Sequence, residues 1–144
     1  MLTDYQTSMK VLFICSGNAY RSPVAEALLK KYKPDIEVDS AGTFLAVPIS
    51  KVAIQFLRKE GAGAYLKQAP ESLENKKLDG YDLIVVMKQQ HKSLVVKKCP
   101  QCEPKVVVWD IEDPFMRSKE SVDRIFEQIK NKAKELANSL ANTH

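Results

Sequence analysis

Cysteine is scarce in this chain. Three residues in 144 are an odd number and too few to staple a disulfide scaffold, so a reducing, cytoplasmic setting is expected. Histidine is scarcer, with two residues, His91 and His144. The pair Cys99-Pro100-Gln101-Cys102 is therefore short of the further ligands a zinc site needs, and no metal or other cofactor is expected. Long apolar runs are missing: no stretch approaches the ~20 residues that cross a bilayer. The first residues lack the charged-then-apolar pattern of a secretory signal, so no membrane partner is expected. Nor is there a large excess of one charge. Basic residues outnumber acidic ones by 22 to 18, for a net charge of +4. The lysines are scattered or paired (Lys30-Lys31, Lys76-Lys77, Lys97-Lys98) and read as solvated helix faces, not as a nucleic-acid footprint. Repeats, low-complexity tracts and linker-like stretches are absent.

What is present is an ordinary globular composition, 44% hydrophobic and 28% charged, in a chain long enough to bury one sizeable core. Residues 1–8 are polar and aperiodic and read as an N-terminal extension; residues 9–144 read as one domain. Within it strand and helix patterns alternate. Strands are expected at about Lys10–Ile14, Ile36–Asp39, Asp82–Met87 and Lys105–Trp109. Helices are expected at Pro23–Tyr32, with Ser22 as N-cap, and from Ser50 to the stop at Gly61. One or two further helical turns are expected near Ser72–Leu78. Later helices are expected at Gln89–Lys97 and Ser121–Ala141, the last carrying Val122, Ile125, Phe126, Ile129, Ala133, Leu136 and Leu140 at helical spacing. Segment Ala62–Pro70 reads as loose chain. Four strands alternating with helices predict an α/β fold, a four-stranded parallel sheet covered on both faces. In such sheets ligands bind beyond the carboxyl ends of the strands. The loops after the four strands, Cys15–Ser22, Ser40–Ile49, Met87–His91 and Asp110–Arg117, are expected to share one edge.

The first of those loops carries the chemistry. Ile14-Cys15-Ser16-Gly17-Asn18-Ala19-Tyr20-Arg21-Ser22-Pro23 places a thiol at a strand end, an arginine six residues later and a helix N-terminus behind both. Such a loop, Ser16, Gly17, Asn18, Ala19, Tyr20, Arg21 and Ser22, is a cradle for a tetrahedral oxyanion. Helix N-termini and guanidinium groups favour the thiolate, a strong nucleophile and good leaving group, at Cys15. Arg21 can donate a parallel pair of hydrogen bonds to an oxyanion. Gly17 lets the loop turn tightly, and Asn18 tolerates a left-handed backbone. Ser22 can offer its hydroxyl to the sulfur. A cysteine at a strand end can also be mere core filling, but strand, loop, arginine and helix agree here. Displacement at phosphorus also needs a proton donor. Asp110, Glu112 and Asp113 all follow the fourth strand, and position alone does not rank them. Pro114 biases Asp113 toward an extended backbone.

The series Cys-x-x-Gly-Asn-x-x-Arg-Ser-Pro, Val38-Asp39-Ser40-Ala41-Gly42-Thr43, Tyr81-Asp82-Leu83-Ile84 up to Met87, and Asp113-Pro114-Phe115 resembles the low-molecular-weight protein tyrosine phosphatases from about Met9 onward. The resemblance implies a flavodoxin-like three-layer sandwich and a metal-free, two-step hydrolysis of phosphotyrosine proteins or small aryl phosphates. It implies Cys15 as nucleophile, Arg21 as phosphate ligand and Asp113 as general acid and then base. Phe115 matches the family's aromatic wall, and Phe44 or Leu45 stands where a second wall is expected. Two departures have consequences. Tyr20 occupies the place where many members carry a second loop cysteine. Lys88 replaces an acidic residue after Met87, which predicts a more positive rim.

Two rival readings remain open. Thiol-dependent arsenate reductases of a sister family share the loop and relay electrons through three cysteines, here Cys15 with Cys99 and Cys102. The expected topology opposes this. Cys99 and Cys102 precede the fourth strand, at the edge away from Cys15. A five-residue strand spans about 17 Å, whereas disulfide-bonded Cα atoms lie at most about 7 Å apart. A non-catalytic phosphate-reading module would need the cradle without the thiol and acid that this chain retains.

Overall fold

The computed structural model describes residues 9–141. The extension expected at residues 1–8, and His144 with its neighbours, lie outside the described residues. Strands β1 (Lys10–Cys15), β2 (Glu37–Gly42), β3 (Leu83–Val86) and β4 (Val106–Val108) alternate with helices α1 (Arg21–Tyr32), α2 (Lys51–Lys59), α3 (Gln89–Lys98) and α4 (Lys119–Ala141). All strand pairs are parallel, in the order β2-β1-β3-β4.

Side chains alternate across β1 and so divide the core in two. Val11, Phe13 and Cys15 face the layer of α1, α2 and α4, with Val24, Leu28, Leu57, Phe126 and Ile129. Leu12 and Ile14 face the layer of α3, with Val95, Leu73 and Leu78. This is the flavodoxin-like sandwich. The chain leaves β1 toward one face and β3 toward the other, so the crevice where open α/β sheets bind ligands lies at the end of β1, beside Cys15. Among the described residues, no helix is long and apolar enough to cross a membrane.

Helix α2 starts and stops as its sequence dictates. The Ser50 hydroxyl accepts from the N–H groups of Val52 and Ala53, and Gly61 beyond its end takes φ 72°. Helix α1 does not follow its expected start. It begins at Arg21 with Tyr20 at the cap position and no side-chain cap. Ser22 is inside the first turn because its hydroxyl is committed to the loop, as described below. Pro23 is tolerated there because first-turn N–H groups lack intrahelical partners. The turns expected near Ser72–Leu78 are short 3-10 turns, Leu73–Asn75 and Leu78–Gly80.

Strand β2 runs three residues further than its pattern suggests, because Ser40, Ala41 and Gly42 pair with Phe13, Ile14 and Cys15. Ser-Ala-Gly reads locally as a turn, and ladder hydrogen bonding overrides that preference. The extension brings Gly42 under the Cys15 loop. A Cβ there would sit 2.8 Å from the Asn18 nitrogen, the Gly17 carbonyl carbon and the Ser16 oxygen, all backbone atoms. Gly42→Ala is therefore expected to lower stability by about 1–3 kcal/mol, as overpacking does, and to weaken binding of inorganic phosphate. Urea denaturation and phosphate titration measure the two effects; a fully stable, phosphate-binding variant would show that the loop can retreat.

Candidate active site

Residues Ser16–Tyr20 arch from the end of β1 to the start of α1, with Cys15 beneath them. The Cys15 sulfur accepts the Asn18 N–H at 3.3 Å and lies 2.9 Å from the Ser22 Oγ. That hydroxyl accepts from Asn18 Nδ2 at 2.8 Å, and its own proton can go to the sulfur or to the Ala41 carbonyl at 3.5 Å. The sulfur thus sits beside an N–H and a hydroxyl at the start of α1.

The loop is held from behind by Asn18. Its backbone is left-handed, φ 54°, and its side chain is wholly buried. The amide donates to Ser22 Oγ and to Ser40 Oγ at 2.9 Å. Its Oδ1 accepts from Lys67 Nζ at 3.0 Å and from the Glu71 N–H at 2.8 Å. Both protons and both lone pairs are used, which fixes the amide's orientation. The Lys67 side chain is itself buried, bonded to the Ser40 carbonyl at 2.8 Å and to Glu71 at 2.9 Å. Glu26, also buried, accepts from Ser40 Oγ and from Lys30. Sequence reasoning missed Lys67 and Glu26. The first lies in what reads as loose chain, and the second reads as one more polar helical residue.

Arg21 is buried and donates to the Ile111 carbonyl at 2.8 Å, which ties α1 to the loop after β4. From that loop Asp113 approaches the guanidinium at 3.8 Å while remaining half exposed. A cavity of about 250 Å³ opens between these elements, lined by Cys15, Arg21 and Asp113 and walled by Tyr20, Phe44 and Phe115. Ser16, Gly17 and Ala19 also line it, whereas Asn18 and Ser22 brace the loop from outside it. The Tyr20 and Phe115 rings meet edge to face with centroids 6.3 Å apart.

Of the three carboxylates after β4, Asp113 alone lines the cavity. Asp110 and Glu112 are bonded to Lys88 instead. Hydrogen bonds to that lysine hold both carboxyls below their usual range and hold the Lys88 ammonium above its own. The rim is therefore not made more positive by Lys88, because two carboxylates that follow β4 in the chain meet it in space.

His91 ends a loop expected at this edge, but its contact with the Cys15 loop was not legible in the sequence. It lies three residues beyond Lys88, from where a side chain can reach back to a helix-entry N–H. Its Nδ1 accepts the Lys88 N–H at 3.0 Å, so Nε2 carries the proton and donates to Ser16 Oγ at 3.0 Å.

Cys99 and Cys102 are bonded to each other, with Cα atoms 5.3 Å apart. They lie between α3 and β4, at the sheet edge opposite Cys15, which is the free cysteine. The three-thiol arsenate relay is therefore not supported: two of its members are partnered locally, and the sheet separates them from the third.

Burial, and then repulsion from Arg21, lowers the His91 pKa from 6.5 to about 4. The folded protein keeps the ring neutral while the unfolded chain takes up a proton below pH 6.5, so stability present above that pH is lost as pH falls toward about 4. Urea unfolding across this window is expected to show a steeper loss for the wild type than for His91→Gln. Equal slopes would place the ring in a solvated setting.

Comparisons with known proteins agree with this geometry. The profile described as "Low molecular weight phosphotyrosine protein phosphatase" matches residues 10–144. The low molecular weight protein-tyrosine-phosphatase Wzb of Escherichia coli is 31% identical over 90% of this chain and 94% of its own. A protein-arginine-phosphatase of Geobacillus stearothermophilus is 33% identical over 74% of this chain and 78% of its own. Among solved structures, Vibrio vulnificus Wzb in complex with benzylphosphonate superposes with a TM-score of 0.82 at 26% identity, covering 91% of this chain and 98% of that one. With the profile spanning all four strands and the Cys15 loop, this chain belongs to the low molecular weight phosphotyrosine protein phosphatase family.

Proposed function

We propose that this chain hydrolyses aryl phosphate monoesters, above all phosphotyrosine in proteins, through a cysteinyl-phosphate intermediate. The observation that carries the reading is the Cys15 sulfur, held by N–H and hydroxyl donors on the floor of a cavity that also receives Arg21 and Asp113. The phosphoryl group rests on the loop, with its oxygens toward the loop N–H groups and Arg21. The sulfur attacks phosphorus from below, the S–P bond forms and the P–O bond to the aryl group breaks on the opposite side. Asp113, at the cavity wall, hands its proton to the departing phenolate. It then takes a proton from the water that attacks the cysteinyl phosphate, and inorganic phosphate and Cys15 are released. The loop donors and Arg21 act on the oxygens throughout, and their effect grows as charge spreads in the transition state. No step needs a metal or a cofactor.

The walls favour an aryl leaving group. Tyr20, Phe44, Val47 and Phe115 present apolar surface. The carboxylate lining the cavity, Asp113, already faces Arg21, which leaves no separate acid to meet a substrate guanidinium.

Three variants test the reading against a panel of phosphotyrosine, phosphoserine, phosphoarginine and 4-nitrophenyl phosphate. Cys15→Ser is expected to abolish turnover yet retain inorganic phosphate; unchanged turnover would remove the nucleophile. Asp113→Asn is expected to slow aryl phosphate hydrolysis by roughly 10²–10⁴-fold, as loss of a general acid does, while Asp110→Asn leaves it within a few-fold. The reverse result would reassign the acid. Preference for phosphoarginine over phosphotyrosine would reject the aryl reading.

A further inference from the structure

The mouth of the cavity is apolar on both sides. Phe44 and Val47 line it from the loop after β2 and Phe115 from the loop after β4, with Leu45 and Met116 next to them in the chain; all five residues are exposed, Phe44 at 75% and Met116 at 87%. Phe44, Val47 and Phe115 line the cavity itself, whereas Leu45 and Met116 stand beside them in the chain and outside it.

Both borders are held in place. The Thr43 and Phe44 N–H groups donate to the carbonyls of Cys15 and Ser16 at 3.1 and 2.8 Å. Phe115 N–H donates to Asp113 Oδ1 at 3.0 Å, and Arg117 bonds the carbonyls of Pro114 and Asp113. Met116 sits in the left-handed region, φ 62°, which long apolar side chains rarely adopt. The chain thus holds a methionine outward beside its active site in a conformation suited to glycine or asparagine.

Charges nearby are already matched. Lys88 pairs with Asp110 and Glu112, and Arg117 with Glu112, so the rim offers little uncompensated charge to acidic or basic neighbours of a substrate. A free aryl phosphate would fill the cavity and leave Leu45 and Met116 unused. Exposed, ordered apolar surface continuous with a binding cavity marks an interaction site, and its fixed backbone lowers the ordering cost of binding.

We infer that the phosphotyrosine accepted here is carried on a protein segment with apolar side chains on both sides of it. This rests on the phosphatase reading above and narrows its substrate.

The test compares phosphotyrosyl peptides of one length whose flanking positions carry Leu and Phe, Ser, Glu or Lys. The apolar-flanked peptide is expected to exceed the others by about tenfold in kcat/KM, mainly through KM, the order expected for partial burial of one or two apolar side chains. The double variant Leu45→Ser/Met116→Ser is expected to remove that preference and to leave turnover of 4-nitrophenyl phosphate unchanged. Equal rates for all flanks, preference for charged flanks, or a preference that survives the double variant would overturn the inference while leaving the phosphatase reading in place. Failure to hydrolyse 4-nitrophenyl phosphate would overturn both. Self-association in sedimentation that the double variant abolishes would assign the apolar rim to a second copy of the chain and overturn the inference.

Discussion

The buried amide of Asn18 is the constraint on which the site depends. A loop that must turn its N–H groups inward cannot satisfy itself with ordinary secondary-structure hydrogen bonds. Here one side chain closes the loop from behind, and its four hydrogen-bonding positions are filled by Ser22, Ser40, Lys67 and the Glu71 backbone. Those partners come from α1, from the extended end of β2 and from the segment before β3. The left-handed backbone at Asn18 persists because three parts of the fold converge on it. The Asn18 N–H, aimed at the Cys15 sulfur, is a consequence of the same turn.

Charge is managed by compensation at each layer around that loop. The side chains of Lys67 and Glu26 are both buried beneath it, where an unpaired charge would be costly; they face each other at 3.9 Å and share the Ser40 hydroxyl, and Lys67 also pairs with Glu71 on the outer side. Arg21 is buried beside the loop, and the Ile111 carbonyl takes one of its donors, which leaves the rest of the guanidinium facing the cavity. At the rim Lys88 and Arg117 pair with Asp110 and Glu112, and Asp113 is left as the carboxylate at the cavity wall. His91 fits the same arrangement. It is neutral, and it supplies a hydrogen bond to Ser16 without adding a cation beside Arg21.

The parallel sheet explains why these groups can meet. Strands β1, β2 and β4 end at one edge, so residues separated by as many as 90 positions, such as Arg21 and Ile111, come within hydrogen-bonding distance. The disulfide between Cys99 and Cys102 lies at the other edge. The separation of the two sulfur chemistries follows from strand direction and not from cysteine spacing.

Local pattern was enough to read the strands, the four main helices and the Cys15–Arg21 loop. Each of these is an interaction between residues close in the chain: an apolar period, a cap, an anion cradle between a strand end and a helix start. Tertiary structure decided what distant residues do to one another. It lengthened β2 through Ser40–Gly42 by pairing them with β1, and it left the start of α1 without the side-chain cap expected of Ser22. It recruited Lys67 from chain that carries no pattern, and it brought His91 against Ser16 from a helix entry. It separated Asp113 from Asp110 and Glu112 by giving those two to Lys88. The reason is physical. Backbone preference and side-chain periodicity are properties of a short segment, whereas the partner of a buried polar group is set by which strand ends the sheet places side by side.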